Sequence, residues 1–213
     1  MTRGRFITLE GGEGMGKSTQ ARLLVAALEA RGIAVDATRE PGGTPGAEAI
    51  RSLLLAPPGT GWPAEAEALL FAAARSDHVA HRIRPALAEG RWVICDRFVD
   101  SSRAYQGGAG GLGDEAIVAL HRFGSDGLLP DLTLLLQAPA PVTRQRLNSR
   151  DGGESDAIGG RDEEYHAAVA AAFARIAVSE PQRVARIDGS GSPAEVHDRV
   201  MAALAPLLAE LPA

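Results

Sequence analysis

The sequence predicts a doubly wound α/β fold, a five-stranded parallel sheet with helices on both faces. Five short apolar runs alternate with longer stretches of helical spacing. Strands separated by helices of ten or more residues imply parallel pairing, with both faces of the sheet covered. The chain has 213 residues, 45% hydrophobic and 23% charged, which is ordinary globular usage and enough for one sizeable core. A single domain over 1–213 is expected.

The strand runs are Phe6 to Leu9, Ala34 to Thr38, Trp92 to Cys95, Leu132 to Leu136 and Val184 to Ile187. The helix after the first run places Leu23, Leu24, Ala27 and Leu28 on one face and ends at Arg31-Gly32, a cation followed by a C-terminal glycine. Further helices are predicted from Glu65 to Glu89 with a break near Ser76, and over Asp114 to Phe123, Pro141 to Ser149, Glu163 to Ser179 and Pro193 to Leu211. Ala56 to Gly61 reads as a Pro/Gly loop. Arg150 to Gly160 is polar, Gly-rich and acidic, and reads as part of a mobile lid spanning roughly 144–164.

Charge and composition exclude several classes. The formal net charge of −5 argues against nucleic acid as the main ligand. No apolar stretch approaches the roughly 18 residues that span a bilayer, so no membrane association and a cytoplasmic location are expected. The single cysteine, Cys95, lies in an apolar run and reads as a buried small residue. Lys17 is the only lysine, every other basic residue being arginine.

That lysine stands in Gly11-Gly12-Glu13-Gly14-Met15-Gly16-Lys17-Ser18, a phosphate-binding loop of the form G-x-x-x-x-G-K-[ST], with Thr19 following. The required strand precedes it and an amphipathic helix follows. Glycines let successive N–H groups point inward, the helix adds its positive end, and Lys17 supplies a compact ammonium for the β- and γ-phosphates of ATP. Ser18 is the expected ligand of Mg²⁺. Asp96 closes the Trp92 to Cys95 run where a second magnesium ligand is wanted, and Arg97 beside it offers a planar fork to a phosphate. Taken alone, Asp96-Arg97 also suits a surface ion pair or a helix cap. The guanine-reading Asn-Lys-x-Asp element of GTP switches needs a second lysine and is absent.

Several strings in order, Phe6 to Gly11, Thr38-Arg39-Glu40-Pro41-Gly42-Gly43-Thr44, Leu70 to Arg75, Asp96 to Ser102, Ala104-Tyr105-Gln106-Gly107 and Pro130 to Thr133, make the chain resemble the thymidylate kinases almost end to end. Phe71 and Arg75 lie one helical turn apart, so an aromatic shelf and a donor share one face. The resemblance implies that Phe71 stacks on thymine and Arg75 bonds its carbonyl. It likewise implies that Gln106, with Ser102 beside it, reads the pyrimidine edge and that Tyr105 crowds the 2′ position. Arg97, Arg39 and Arg51 are expected to hold the acceptor phosphate, and Glu13 the 3′-hydroxyl of the acceptor sugar.

The implied reaction is ATP-dependent phosphorylation of dTMP to dTDP, with Mg²⁺ as cofactor and ATP and dTMP as small-molecule partners. Such transfer rests on alignment and charge neutralisation rather than covalent chemistry. The resemblance also implies a catalytic cation from either the phosphate loop or the lid. The variable loop positions Gly12, Glu13, Gly14 and Met15 carry none, which assigns it to Arg150 and Arg161, with Arg144 or Arg146 against adenine. Asp162 and Gln137 depart from the family pattern. A kinase for another nucleoside monophosphate or for a deoxynucleoside shares the loop, Asp96 and Arg97. A catalytically idle nucleotide-binding module is the reading from outside the enzymes. A homodimer through helices flanking the sheet is implied by resemblance.

Overall fold

The computed structural model describes residues 3–139, 141–144, 146 and 162–210. Its five strands are β1 (Phe6–Glu10), β2 (Val35–Arg39), β3 (Trp92–Asp96), β4 (Leu132–Gln137) and β5 (Val184–Asp188), each within one residue of a predicted run. All pair in parallel, in the order β2-β3-β1-β4-β5.

Apolar residues occupy both faces of the strands because helices cover both. On one face Ile7, Leu9, Ile94 and Leu134 pack against Leu24 and Leu28 of α1 (Lys17–Glu29) and Val200 and Leu204 of α8 (Pro193–Ala209). On the other, Phe6, Val93 and Cys95 meet Val79, Ile83 and Leu87. Val79 and Ile83 belong to a wide π-turn over Val79–Ile83 and Leu87 to α4 (Arg84–Ala88), both continuing α3 (Ala64–His78) without interruption. The break predicted near Ser76 is therefore corrected to a widened turn just before Pro85. A proline lacks the N–H and collides with the preceding turn, and a π-turn absorbs both defects.

Two helices form where the sequence pattern predicts none. One is α2 (Pro45–Leu55), capped by Thr44 with Pro45 in its first turn, a start signal present in the sequence. The other is α5 (Val99–Ser102), which runs into a second π-turned segment, Arg103–Ala109. The remaining helices, α6 (Asp114–Ser125) and α7 (Glu163–Ser179), match their predictions closely. Residues 141–144 and 146 are helical as expected. Most of the predicted lid, Arg150 and Arg161 included, lies outside the described residues.

The strand order creates the site. From β1 the chain passes over β3 to reach β2, then returns to β3 and crosses β1 to reach β4, so the carboxyl ends of β1 and β3 flank the switch point of the sheet. Glu10 ends β1 there and is fully buried. Its carboxylate accepts from Phe98 N at 2.8 Å, Ser101 N at 3.2 Å and Ser101 Oγ at 2.6 Å, which pins the turn that follows β3.

Asp100 clamps the same turn from behind. It accepts from Arg183 at 2.7 and 3.0 Å, from Arg103 at 3.1 Å and from Thr133 Oγ1 at 3.1 Å. Arg103 continues in a fork to Asp114 at 2.7 and 2.9 Å and reaches Glu180 at 2.6 Å. The turn is thereby tied to β4, α6 and the end of α7. Burial pushes the Asp100 carboxyl up, but Arg183 and Arg103 outweigh it and hold the group below its usual range. Glu10 shows the opposite balance: burial, then the negative charge of Asp100, raise it to about 7.

Asp100→Asn removes one of the two anions that Arg183 and Arg103 share, the other being Glu180, and should cost about 1–3 kcal/mol, read as a lower denaturant midpoint at unchanged slope. Glu10 holds its proton up to about 7 in the fold and only to 4.5 at its ordinary value. It therefore contributes stability that is full below pH 4.5 and lost as the pH rises through 7. Stability curves of the wild type and Glu10→Gln should converge or cross over that interval, the wild-type advantage shrinking by about 3 kcal/mol. Parallel curves would show that Glu10 does not titrate in this range.

Candidate active site

The phosphate loop is shaped by what surrounds it. Gly11 follows β1 at φ 133°, and a Cβ there would lie 2.4 Å from the Leu136 carbonyl oxygen at the end of β4, so no side chain fits. α1 starts at Lys17 with no side-chain cap, which leaves its first N–H groups for an anion. Lys17 folds back over the loop, its Nζ donating to Gly11 O at 3.0 Å and Gly12 O at 2.7 Å. Burial, then the nearby Arg97, push its pKa down to about 7. A phosphate beside it would reverse that shift.

Ser18 and Asp96 meet across the switch point, Ser18 Oγ donating to Asp96 Oδ2 at 2.7 Å. Both are hard oxygen donors of the kind magnesium prefers. No group of three or more His, Cys, Asp or Glu side chains among the described residues could hold a metal alone. A magnesium ion at this pair would draw its other ligands from nucleotide phosphates and water, its usual habit.

Arg97 adopts φ 71°, a left-handed backbone that costs a non-glycine residue about 1 kcal/mol. The turn pinned by Glu10 imposes it. The guanidinium donates to Gly11 O at 3.2 Å, Ser101 Oγ at 3.1 Å and Tyr105 OH at 3.4 Å, and lies over the Tyr105 ring 5.1 Å from its centroid. Arg97 therefore stands between the phosphate loop and the segment that carries Tyr105 and Gln106.

The far end of the cleft is built on α3. Phe71 is 9% exposed and Arg75 is 3% exposed. Arg75 Nε donates to Glu40 Oε2 at 2.7 Å, and its Nη2 to Ser102 Oγ at 2.8 Å and Phe98 O at 3.3 Å. His78 Nδ1 lies 3.0 Å from the other Glu40 oxygen, and its Nε2 lies 2.7 Å from Thr38 Oγ1. Gly43 fits against this pair only because it lacks a Cβ, which would fall 2.5 Å from Thr38 Oγ1 and 2.6 Å from His78 Nε2. Nearer the mouth, Arg39 pairs with Glu48 at 2.9 Å, and Arg51 donates to Pro41 O at 2.7 Å. Gln106 Nε2 donates to Glu67 Oε1 at 2.9 Å.

One cavity of about 620 Å³ joins these parts. Lined at one end by Glu13, Gly14, Met15, Gly16, Lys17, Ser18 and Thr19, it reaches Asp96 and Arg97 and then Phe71, Arg75, Ser102, Tyr105 and Gln106, with Arg39 and Arg51 also on its wall. Arg146 lines the loop side and donates to Gly189 O at 2.9 Å. Gly11 and Gly12 support the loop from beneath without lining the cavity. Arg144 is not on its wall either, and pairs with Glu163 at 2.7 Å. Lining residues with no role assigned from sequence include Gln20, Glu40, Ser101, Gly189, Pro193 and Val196. Gly189 and Pro193 bound the Gly-Ser-Gly-Ser-Pro turn after β5, and Val196 lies in the first turns of α8, whose Ser192–Glu195 capping box is a readable helix start. Glu10 and Glu40 sit within the recognised strings, Glu10 at the end of an apolar run and Glu40 between Arg39 and Pro41.

Comparison with known proteins agrees with this geometry. The thymidylate kinase family model matches residues 9–200. A thymidylate kinase of Rhizorhabdus wittichii is 61% identical over 205 residues, covering 96% of this chain and 99% of that protein. One from a Bradyrhizobium species is 50% identical over 191 residues, covering 89% and 84%. A crystal structure of thymidylate kinase from Ehrlichia chaffeensis superposes with a TM-score of 0.78 at 33% identity, covering 95% of this chain and 99% of that one. The match to the family model and to near-full-length relatives, on a five-stranded parallel sheet with the phosphate loop at its switch point, places the chain in the thymidylate kinase family.

Proposed function

We propose that the chain transfers the γ-phosphoryl group of ATP to the 5′-phosphate of dTMP, giving ADP and dTDP. The bond between the γ-phosphorus and its bridging oxygen breaks, a new one forms to an acceptor phosphate oxygen, and the bridging oxygen leaves on ADP. The observation that carries this reading is a continuous cavity with a phosphate loop at one end, an aromatic and guanidinium pair at the other and Arg97 between them. Its volume lies within the range usual for ligand sites.

Lys17 neutralises charge on the transferring group, and Ser18 and Asp96 hold Mg²⁺, which screens the donor phosphates when bound. Arg97, with Arg39 and Arg51 nearer the mouth, takes the acceptor phosphate. Phe71 is the shelf for the base, Arg75 the donor to its carbonyl and Gln106 the reader of its edge, while Tyr105 and Glu13 face the sugar. Arg146, against Gly16 and the 189–191 turn, is the better placed of the two arginines proposed for adenine, since Arg144 is engaged with Glu163. Arg150 and Arg161 remain the proposed source of the transition-state cation from the lid.

A homodimer through α2, α3 and α6 accompanies this reading. α3 packs against both α2 and α6, and the three helices leave Leu53, Leu69 and Phe123 exposed, Phe123 at 94%. No helix among the described residues is long and apolar enough to cross a membrane. We place the enzyme in the cytoplasm.

Steady-state ADP release with ATP and Mg²⁺ should be fastest with dTMP and much slower with GMP or thymidine; a faster reaction with either of those would overturn the acceptor. Lys17→Met should lower kcat by about 10²–10³-fold with little change in the far-ultraviolet circular dichroism. Near-normal turnover in that variant would remove Lys17 from the transfer.

A further inference from the structure

Glu67, Phe71 and Arg75 are spaced four residues apart along α3 and so share one stripe of the helix. Phe71 and Arg75 reach the cavity wall, whereas Glu67 does not line it. Glu67 instead accepts a hydrogen bond of 2.9 Å from Nε2 of Gln106, a side chain only 3% exposed that does line the cavity.

The chemistry of that contact fixes a direction. A carboxylate only accepts, so the amide must present its NH₂ to Glu67, and Gln106 Oε1 must face the other way. No described residue donates to Oε1, and it is not among the sealed, unpartnered atoms of the interior. The neighbouring donor is aimed in the same manner. Glu40, Ser102 and Phe98 O occupy Arg75 Nε and Nη2, which leaves Nη1 as the donor on the cavity side. The wall thus offers a donor and an acceptor of fixed polarity.

We propose that Glu67 is a positioning residue that sets the base specificity of the acceptor site. By holding the Gln106 amide, it turns Oε1 toward the base and selects a pyrimidine with N3–H beside a C4 carbonyl. The same wall rejects a pyrimidine with a bare N3 beside a C4 amino group, whose pattern is the reverse. Leaving a buried polar pair mismatched is a strong source of discrimination. This inference rests on dTMP being the acceptor and deepens that reading.

The test compares the wild-type chain with Glu67→Gln and Glu67→Ala, using ATP, Mg²⁺ and dTMP, dUMP or dCMP as acceptor. In Glu67→Gln the shape is kept, but its amide can offer either an oxygen or an NH₂, so the direction of Gln106 is no longer fixed. The ratio of kcat/KM for dTMP over dCMP should fall about tenfold in both variants, mainly through a higher KM for dTMP. The dUMP value should move with dTMP, because the two share the same edge. In a Gln106→Met background, Glu67→Gln should leave the dTMP to dCMP ratio unchanged.

Parallel losses for all three acceptors with a constant ratio would reduce Glu67 to a structural role and overturn the proposal. So would a further tenfold fall in the ratio without Gln106. A wild-type enzyme with no preference for dTMP over dCMP would instead overturn the acceptor reading itself.

Discussion

Two phosphate-bearing ligands repel one another, and a chain with a formal charge of −5 cannot draw them together by its overall field. The cations must converge at one point. They do so at the carboxyl ends of β1 and β3, where Lys17 and Arg97 both bond the carbonyl of Gly11. Burial first, and the neighbouring Arg97 second, lower the pKa of Lys17 to about 7. The arrangement is held by carboxylates outside the phosphate path. Glu10 pins the Arg97 turn through Phe98 and Ser101, and Asp100 fixes the same turn to β4 and to the end of α7.

These two buried acids divide the charge unequally for a clear reason. Asp100 has two guanidiniums as partners, while Glu10 is bonded by two backbone amides and one hydroxyl. The fully paired acid keeps its negative charge, and the one bonded by dipoles alone is driven toward protonation by burial and by its neighbour. The difference has a structural use. Asp100 closes a network that must not move, whereas Glu10 sits directly under the turn that carries Arg97.

Much of this was legible in the sequence, because the strongest signals are local. The five strands and the phosphate loop are short strings whose residue types dictate their backbone, and Glu163 to Ser179 shows helical periodicity over its full length. The misses share a different cause. α5 has four residues and passes into a π-turned segment, so it shows no apolar period of 3.6. α2 was lost between a Gly-Pro string and a Pro/Gly loop despite its Thr44-Pro45 start. Glu10, Glu40 and Glu67 were beyond the reach of pattern. Their partners are 88, 35 and 39 residues away, and a lone acid in a short string reads the same whether it faces water or a buried donor.

What separates the two ends of the cavity is how each treats its charged groups. At the loop end Lys17 is stabilised by carbonyl dipoles, a provisional arrangement that a phosphate can displace, because the ammonium is a rotatable point donor. At the base end Arg75 is locked by an ion pair, a hydroxyl and a carbonyl, and it gains no freedom when a ligand arrives. A polyphosphate varies in position and needs an adaptable cation. A nucleobase edge is planar and directional and needs donors fixed beforehand, since any freedom left in them would be lost on binding and would weaken discrimination. Lysine at the one end and arginine held by glutamate at the other follow from those two demands.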